Sequence, residues 1–154
     1  MLPKQILVPT DLSEGAEQAL DYACALARTL DAQVHLLNVI GIPSFGVPEL
    51  GLAMATTMID QQVVDSQTAI DRLAQTKCNA RVGQVLVKTG DARDVINETA
   101  KQLGIDLIVM GTHGRRGISR ALLGSVAENV VRTAPCAVLT VRLRELDDSN
   151  RHAA

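Results

Sequence analysis

Short apolar runs alternate with longer segments of helical spacing along this chain, and no other feature restricts the possible fold as strongly. The runs are mostly apolar, and the first is continuously so, which is typical of strands covered on both faces by helices. They lie at residues 6–8, 34–40, 84–88, 107–110 and 137–141. Because strands and helical segments alternate throughout, the sequence predicts an α/β fold with an open, mainly parallel, five-stranded sheet and helices on both faces.

Several residues mark where the predicted helices begin and end. Asp11 and Ser13 are candidate caps of the first helix, and Asp91 is the candidate cap of a helix that Gly104 closes. Residues 41–51 contain two prolines and three glycines, so a loop is expected there before the second helix.

Two residue types within these segments have an expected core role. Met54 and Met58 are four residues apart in the second helical segment, and methionines at this spacing usually fill a core. His35, inside the second apolar run, has no second ligand type at metal-binding spacing nearby. It is therefore expected to be a strand-edge or hydrogen-bonded core histidine.

Length and charge limit the classes of protein that remain. A chain of 154 residues with 47% hydrophobic content corresponds to one domain, predicted over 1–142, followed by a charged tail at 143–154 that we expect to fray. The net charge of the chain is −2, and Tyr22 and Phe45 are the only Phe, Tyr or Trp residues in it. Base stacking and general attraction to nucleic acid are both disfavoured, so no nucleic-acid partner is expected.

The cysteines and the N-terminal segment bear on the expected compartment. Cys24, Cys78 and Cys136 are odd in number and far apart, so the sequence predicts buried free thiols rather than a disulfide framework. A strand begins within a few residues of Met1, and no apolar run approaches the length of a membrane span. We therefore expect a cytoplasmic protein with no membrane partner.

A glycine-rich loop follows the fourth apolar run and has the chemistry of an anion site. Glycine lets several backbone N–H groups converge on one ligand without interference from Cβ atoms. Positive side chains lie in the same stretch, which contains no carboxylate. The glycines are Gly111, Gly114, Gly117 and Gly124, and the positive or titratable residues are His113, Arg115, Arg116 and Arg120.

The loop leads into a predicted helix start. Ser125 and Glu128 have the spacing of a capping box, which indicates an N-terminus at Gly124 and Ser125. The N-terminus of a helix offers unpaired N–H groups and the positive end of its dipole, both suited to phosphate. Neither the P-loop pattern nor the dinucleotide fingerprint is present, so a nucleotide site here would be of another kind.

The spacing Gly111-x2-Gly114-x9-Gly124-Ser125 resembles the signature of the ATP-binding branch of the universal stress protein family. The opening segment 6–14 also resembles that family's first strand and turn, and the resemblance extends from about Lys4 to Arg142. It implies a Rossmann-like sheet with strand order 3-2-1-4-5. The switch in connection direction would then fall between the first and fourth strands, where ligands of such sheets bind.

The resemblance also implies roles for individual positions. Pro9, Thr10 and Asp11 would lie against the nucleoside, with the Asp11 carboxylate near ribose hydroxyls or a phosphate-bound Mg²⁺. The backbone of Val39 would meet the adenine edge. The residues that would border the pocket are Met110 and Gly111, and those that would hold the phosphates are Gly114, Gly124, Ser125 and Val126.

Phosphate contact by His113, Arg115 and Arg116 is inferred from their charge alone, and exposed arginines without a ligand are an equal alternative. The function implied by the resemblance is an ATP-binding regulatory protein of the stress response, acting as a homodimer through the fifth strand. A slow Mg²⁺-dependent ATPase, or a receiver-like or flavodoxin-like module, remains as an alternative.

Overall fold

The structure, a computed structural model, describes residues 2–42, 49–113 and 123–142, with the side chains of 49–55 left out. Within these residues strands and helices alternate, as the sequence predicts. In chain order they are β1 (Gln5–Pro9), α1 (Glu14–Leu30), β2 (Gln33–Ile40), α2 (Glu49–Lys77), β3 (Arg81–Thr89), α3 (Ala92–Gln102), β4 (Leu107–Gly111), α4 (Ser125–Thr133) and β5 (Ala137–Val141). The predicted tail at 143–154 lies outside the described residues.

All five strands form one parallel sheet with the order β3-β2-β1-β4-β5, which confirms the predicted topology. β1 is central, with Ile6 paired to Val34 of β2 on one side and to Leu107 of β4 on the other. Ile6, Leu7 and Val8 are fully buried. Burying a side chain of this size contributes about 1.5–3 kcal/mol, so the short apolar run of β1 anchors both core layers.

Two core clusters lie on opposite faces of the sheet. Ile6 and Val8 point to the cluster that α1 and the C-terminal part of α2 cover. Leu7 points to the other cluster, which α3 and α4 cover. The first two crossovers therefore lie on one face and the last two on the other, so the connections reverse direction between β1 and β4.

The ends of α1 and α3 follow their predicted signals. Ser13 caps α1, its Oγ accepting a hydrogen bond from the Ala16 N–H. Asp91 caps α3 by accepting one from the Arg93 N–H. Gly104, after the last turn of α3, has a φ of +60°, the left-handed conformation that glycine adopts without strain.

Two sequence expectations about helices are wrong. Gly124, not Ser125, occupies the cap position of α4, and glycine has no side chain with which to cap the helix. Ser125 is the first helical residue, so the capping box does not form, and Glu128 pairs with Arg132 instead. Met58 is 72% exposed and does not fill the core, because the buried residues of α2 from 56 onward lie closer to its C-terminal end. The side chain of Met54 lies outside the described residues.

The cysteine prediction is also wrong for two of the three residues. Cys24 of α1 and Cys78, the first residue after α2, form a disulfide with their Cα atoms 5.6 Å apart. Their separation of 54 residues in sequence hides this proximity, because α1 and the end of α2 lie on the same face of the sheet. Cys136 is a free, half-buried thiol.

Across the described residues, no helix combines the length and apolar character that crossing a membrane demands.

Candidate functional site

The turn from β1 into α1 is held by its own side chains. Thr10 Oγ1 accepts a hydrogen bond from the Leu12 N–H at 3.1 Å, and Asp11 Oδ1 accepts one from the Ser13 N–H at 3.0 Å. Leu12 has a φ of +63°, a region that residues with a Cβ rarely adopt. Packing of the Leu12 side chain against the first core cluster offsets this strain. Since Ser13 caps α1, Asp11 is not required as the cap.

Asn38 of β2 fixes the end of β1, a role that the sequence reasoning missed. Its side-chain amide donates to the Thr10 carbonyl oxygen at 2.8 Å, and the Thr10 N–H donates to the Leu37 carbonyl oxygen at 2.8 Å. Asn38 and Thr10 are both buried. A buried amide that satisfies a strand-end carbonyl is costly to remove, because that carbonyl would then be unpaired. A polar residue inside an otherwise apolar strand was the available signal.

The end of β4 lies directly against the start of α1. A Cβ atom built on Gly111 would be 3.2 Å from the carbonyl oxygen of Gly15, and one built on Gly15 would be 3.5 Å from the carbonyl oxygen of His113. Gly111 therefore allows a close approach of two backbone segments. The Asp11 turn and the β4 end are consequently neighbours at the carboxyl edge of the sheet.

Gly124 is held against the same edge. Its N–H donates to the Thr112 carbonyl oxygen at 2.7 Å, and a Cβ atom at this position would lie only 2.9 Å from that oxygen. A side chain at 124 would thus force backbone apart. Gly124 has a structural reason to be glycine, in addition to any contact with a ligand.

The first turn of α4 begins at this fixed point with N–H groups that precede the first bond of the helix. The Glu128 N–H bonds to the Gly124 carbonyl oxygen, which is the first bond of the helix. The N–H groups of Ser125, Val126 and Ala127 precede it and have no intrahelical acceptor. Because Gly124 has no side chain with which to cap α4, these donors and the positive end of the helix dipole face the carboxyl edge of the sheet.

His113 lies between the β4 end and the predicted phosphate loop. Its Nδ1 is 3.0 Å from Thr112 Oγ1, and its Nε2 is buried without a hydrogen-bond partner among the described residues. The ring is therefore oriented by Thr112. The predicted neighbours Gly114, Arg115 and Arg116 lie outside the described residues.

The remaining predicted site residues lie at one edge of the sheet, on or after strands β1, β2 and β4. Pro9 and Met110 are buried and form its floor, whereas Asp11, Val39 and Gly111 are partly exposed. Ser125 is exposed and Val126 packs partly on the second core cluster. The arrangement offers a carboxylate on one side and free N–H groups on the other, which is suited to a ligand carrying hydroxyls and an anionic group.

A metal ion at this edge would need ligands beyond the protein. Within the described ranges no three His, Cys, Asp or Glu side chains lie close enough to hold one. Asp11 is the acidic residue of the β1 turn, and a single carboxylate suits Mg²⁺, which retains water and phosphate ligands. The donor set thus fits a metal that arrives with a phosphate ligand better than a resident one.

The fold and this edge define the class of the protein as a Rossmann-like α/β protein with its candidate site at the reversal between β1 and β4. Residues 3–142 match the model of the universal stress protein family. The chain belongs to that family. The universal stress protein MJ0531 of Methanocaldococcus jannaschii is 32% identical over 143 residues, which cover 92% of this chain and 83% of that protein.

Solved structures of the family resemble this one. The universal stress protein UspA from Lactobacillus plantarum superposes with a TM-score of 0.80 at 29% identity, covering 90% of this chain and 97% of that one. A universal stress protein in complex with cAMP gives a TM-score of 0.62 at 24% identity, with coverages of 92% and 98%. A family member from Arabidopsis thaliana with AMP bound gives 0.60 at 22%, with coverages of 97% and 97%. The last two likenesses concern the fold alone.

Proposed function

We propose that this chain is an ATP-binding regulatory protein that acts as a homodimer. The observation that carries the proposal is the uncapped start of α4, fixed by Gly124 beside the end of β4 and close to the carboxylate turn after β1. Such an edge supplies donors for phosphate and an acceptor for hydroxyl groups within one site.

The phosphates would be held mainly by backbone. Gly124 brings the N-terminus of α4 to the sheet edge, and the N–H groups of Ser125 and Val126 would donate to phosphate oxygens. Gly114 would allow the loop backbone to approach the same oxygens. The dipole of α4 adds favourable electrostatics, because its positive end faces the anion.

The nucleoside would lie across the ends of β1 and β2. Pro9 and Thr10 would form its floor, and Asp11 would accept hydrogen bonds from ribose hydroxyls. The backbone of Val39 would meet the adenine edge. Met110 and Gly111 would border the base and ribose on the β4 side.

Asp11 is also the residue that would contact Mg²⁺, if the ion is bound together with the triphosphate; such an ion neutralises phosphate charge. His113, Arg115 and Arg116 would add positive or hydrogen-bonding groups near the phosphates. For His113, the support is its buried, unpartnered Nε2.

The relatives support an adenine nucleotide as the ligand. One bears cAMP and another AMP, on the same sheet architecture. Binding of ATP by this chain, and the preference for a triphosphate, are the parts of the proposal that require a direct test.

The first test is to identify any nucleotide that co-purifies with the protein. With no Trp and one Tyr, the chain absorbs weakly in the near ultraviolet, so a bound nucleotide dominates the spectrum. Ligand released by heat and separated by ion exchange is expected to be ATP, together with any AMP or ADP formed from it. Release of a flavin would contradict the proposal, and so would failure of nucleotide-free protein to bind added ATP.

The second test removes a single backbone donor. Ser125→Pro deletes one N–H at the first helical position, where proline is well tolerated, and Gly124 already has the extended ψ of 150° that suits a residue before proline. We expect the Kd for ATP, measured by calorimetry, to rise roughly 10- to 100-fold, since a hydrogen bond to a charged group contributes about 1.5–3 kcal/mol.

The matched control for this test is Ser125→Ala, which keeps the N–H and loses only the hydroxyl. It should affect the Kd less than Ser125→Pro. Equal Kd values for Ser125→Pro and the wild type would show that the start of α4 does not bind the phosphates. Gly124→Val is less informative, because its Cβ would collide with the Thr112 carbonyl oxygen whether or not ATP binds there.

A further inference from the structure

Among residues 56–77 of α2, the buried side chains lie near the C-terminal end. From residue 56 onward, the buried side chains of this helix are Ile70, Leu73 and Ala74. Val64, further toward the N-terminus, is 59% exposed. Between residues 56 and 77, the buried part of α2 thus amounts to about one turn of apolar side chains, with partly buried residues before it.

Besides the apolar packing in the first core cluster, an ion pair and a disulfide join the end of α2 to α1. Lys77 Nζ lies 3.3 Å from a Glu17 carboxylate oxygen, and both side chains are more than a third exposed, so this ion pair contributes little. The second contact is the disulfide between Cys24 and Cys78. The disulfide therefore adds a covalent link to the apolar packing that Ile70, Leu73 and Ala74 share with α1 in the first core cluster.

The two sulfur atoms differ in their surroundings. Cys24 is 4% exposed and lies on the core face of α1. Cys78 is 8% exposed but lies just past the end of α2, between the exposed residues Lys77 and Asn79. Fraying of a helix end is the commonest local opening, so Cys78 becomes accessible before Cys24.

The apolar core of the fold is extensive apart from this bond. Two apolar clusters enclose a five-stranded sheet, and a domain of this length buries enough surface to fold without a cross-link. Reduced cysteine is itself compatible with burial as a small apolar side chain. Both redox states can therefore be folded, and they differ chiefly in how firmly α2 is attached.

We propose that Cys24 and Cys78 form a reversible redox cross-link that fixes the end of α2 to α1 when oxidised and loosens α2 when reduced. The proposal is independent of ATP binding. It assigns to this pair a thiol–disulfide exchange reaction whose co-reactant is a low-molecular-weight disulfide.

In the oxidising direction, the Cys78 thiolate attacks one sulfur of the small disulfide, and the bond between its two sulfur atoms breaks to release one thiolate. The Cys24 thiolate then attacks the Cys78 sulfur of the mixed disulfide and releases the second small thiol. Two protein thiols lose two protons and two electrons, and the small disulfide is reduced to two thiols.

The experiment uses the full chain with Cys136→Ser, which leaves this pair as the only cysteines. The protein is equilibrated in graded mixtures of reduced and oxidised glutathione, quenched with acid, alkylated in denaturant and weighed by mass spectrometry. We expect cross-linked protein in the oxidising mixtures and free thiols in the reducing ones, with both forms folded by circular dichroism.

Hydrogen exchange then measures the attachment of α2. On reduction, amides in the last turns of α2 are expected to exchange at least about tenfold faster, whereas those of β1 and β4 stay unchanged. Cys24→Ala and Cys78→Ala should match the reduced rates in every mixture. If either variant fails to fold, the protein reduced with a phosphine gives the same comparison.

Three results would overturn the proposal. The first is the absence of a cross-link even in fully oxidised glutathione. The second is a cross-link that persists in every reducing mixture until the protein is unfolded. The third is an unchanged exchange rate in α2 between the oxidised and reduced forms.

Discussion

His35 shows how one polar residue joins three strands. Its Nε2 is 2.7 Å from Gln5 Oε1 on β1, and its Nδ1 accepts a hydrogen bond from the Gln84 N–H of β3 at 3.0 Å. The accepting role of Nδ1 assigns the proton to Nε2, which is the neutral form. This confirms the sequence expectation of a hydrogen-bonded core histidine. Gly83 is required beside it, because a Cβ there would lie within about 3 Å of the ring.

The His35 contacts predict a pH dependence of stability. Burial lowers the pKa of His35 below its ordinary value of 6.5, so the unfolded chain binds the proton more strongly. The contribution of neutral His35 to the free energy of unfolding is complete above pH 6.5. It is lost as pH falls below 6.5 toward the pKa of His35 in the folded protein. Urea unfolding between about pH 8 and pH 5 should show a falling midpoint, with a flatter profile for His35→Gln. Equal slopes for the two proteins would contradict this assignment.

The negative charge of Asp11 and its role in the turn can be tested separately. Asp11→Asn keeps the side-chain oxygen that accepts the Ser13 N–H but removes the negative charge. We expect stability within about 0.5 kcal/mol of the wild type, as for most surface substitutions, and weaker binding of ATP in the presence of Mg²⁺. Calorimetry with and without Mg²⁺ separates a metal contact from a ribose contact. Unaltered affinity under both conditions would exclude Asp11 from the site.

The roles of single residues could be predicted from sequence only where their contacts are with residues nearby in the chain. The caps at Ser13 and Asp91 involve atoms two or three residues away and were correctly predicted. The amide of Asn38 acts on a carbonyl of another strand, and Leu12 adopts a left-handed φ that its type disfavours. The sequence signals a polar role for Asn38 but not its partner, and it gives no signal for the φ of Leu12, because tertiary packing determines both.

Among the elements, strands were easier to place than helix starts. The continuous apolar runs of β1 and β4 follow from burial on both faces. β3 begins at Arg81, three residues before the predicted start, because an edge strand is only partly covered and its apolar pattern is weaker. α4 begins with a glycine cap because close approach to Thr112 excludes a side chain at 124.

The uncapped start of α4 predicts opposite effects of one substitution. Ser125→Asp places a carboxylate at the positive end of the helix dipole and should raise the free energy of unfolding by about 0.3–1 kcal/mol. The same charge would repel phosphate, so the Kd for ATP should rise. Thermal unfolding without nucleotide and calorimetry with it are the two measurements. Tighter or unchanged ATP binding would argue that phosphate lies elsewhere.

For the whole molecule, the topology followed from the alternation of elements and the family resemblance together. The disulfide did not, because the proximity of Cys24 and Cys78 depends on how α1 and α2 are arranged on one face. The homodimer remains a proposal. Its support is β5, which lies at the end of the strand order with partly exposed residues and pairs on one side with β4.

The direction of the β5 backbone groups gives a test of the dimer. The Val141 carbonyl oxygen accepts a hydrogen bond from the Thr112 N–H, so the backbone groups of Val141 face β4. The preceding residue, Thr140, therefore directs its N–H away from β4, toward the open edge of the sheet. Thr140→Pro removes an outward donor without breaking the pairing to β4, and proline is tolerated on edge strands. Sedimentation should show a dimer for the wild type and for the control Thr140→Val, and a monomer for Thr140→Pro. A dimer in all three would place the interface elsewhere.

The hydrogen bond between the Gly124 N–H and the Thr112 carbonyl oxygen has a consequence for how such a protein diversifies. The bond joins the residue after β4 directly to the residue before α4, so these two ends are held together independently of residues 114–122. Substitutions, insertions or deletions between these anchors can accumulate at little cost to folding. We therefore expect relatives to differ in ligand preference through this stretch while they keep the same framework of sheet and helices.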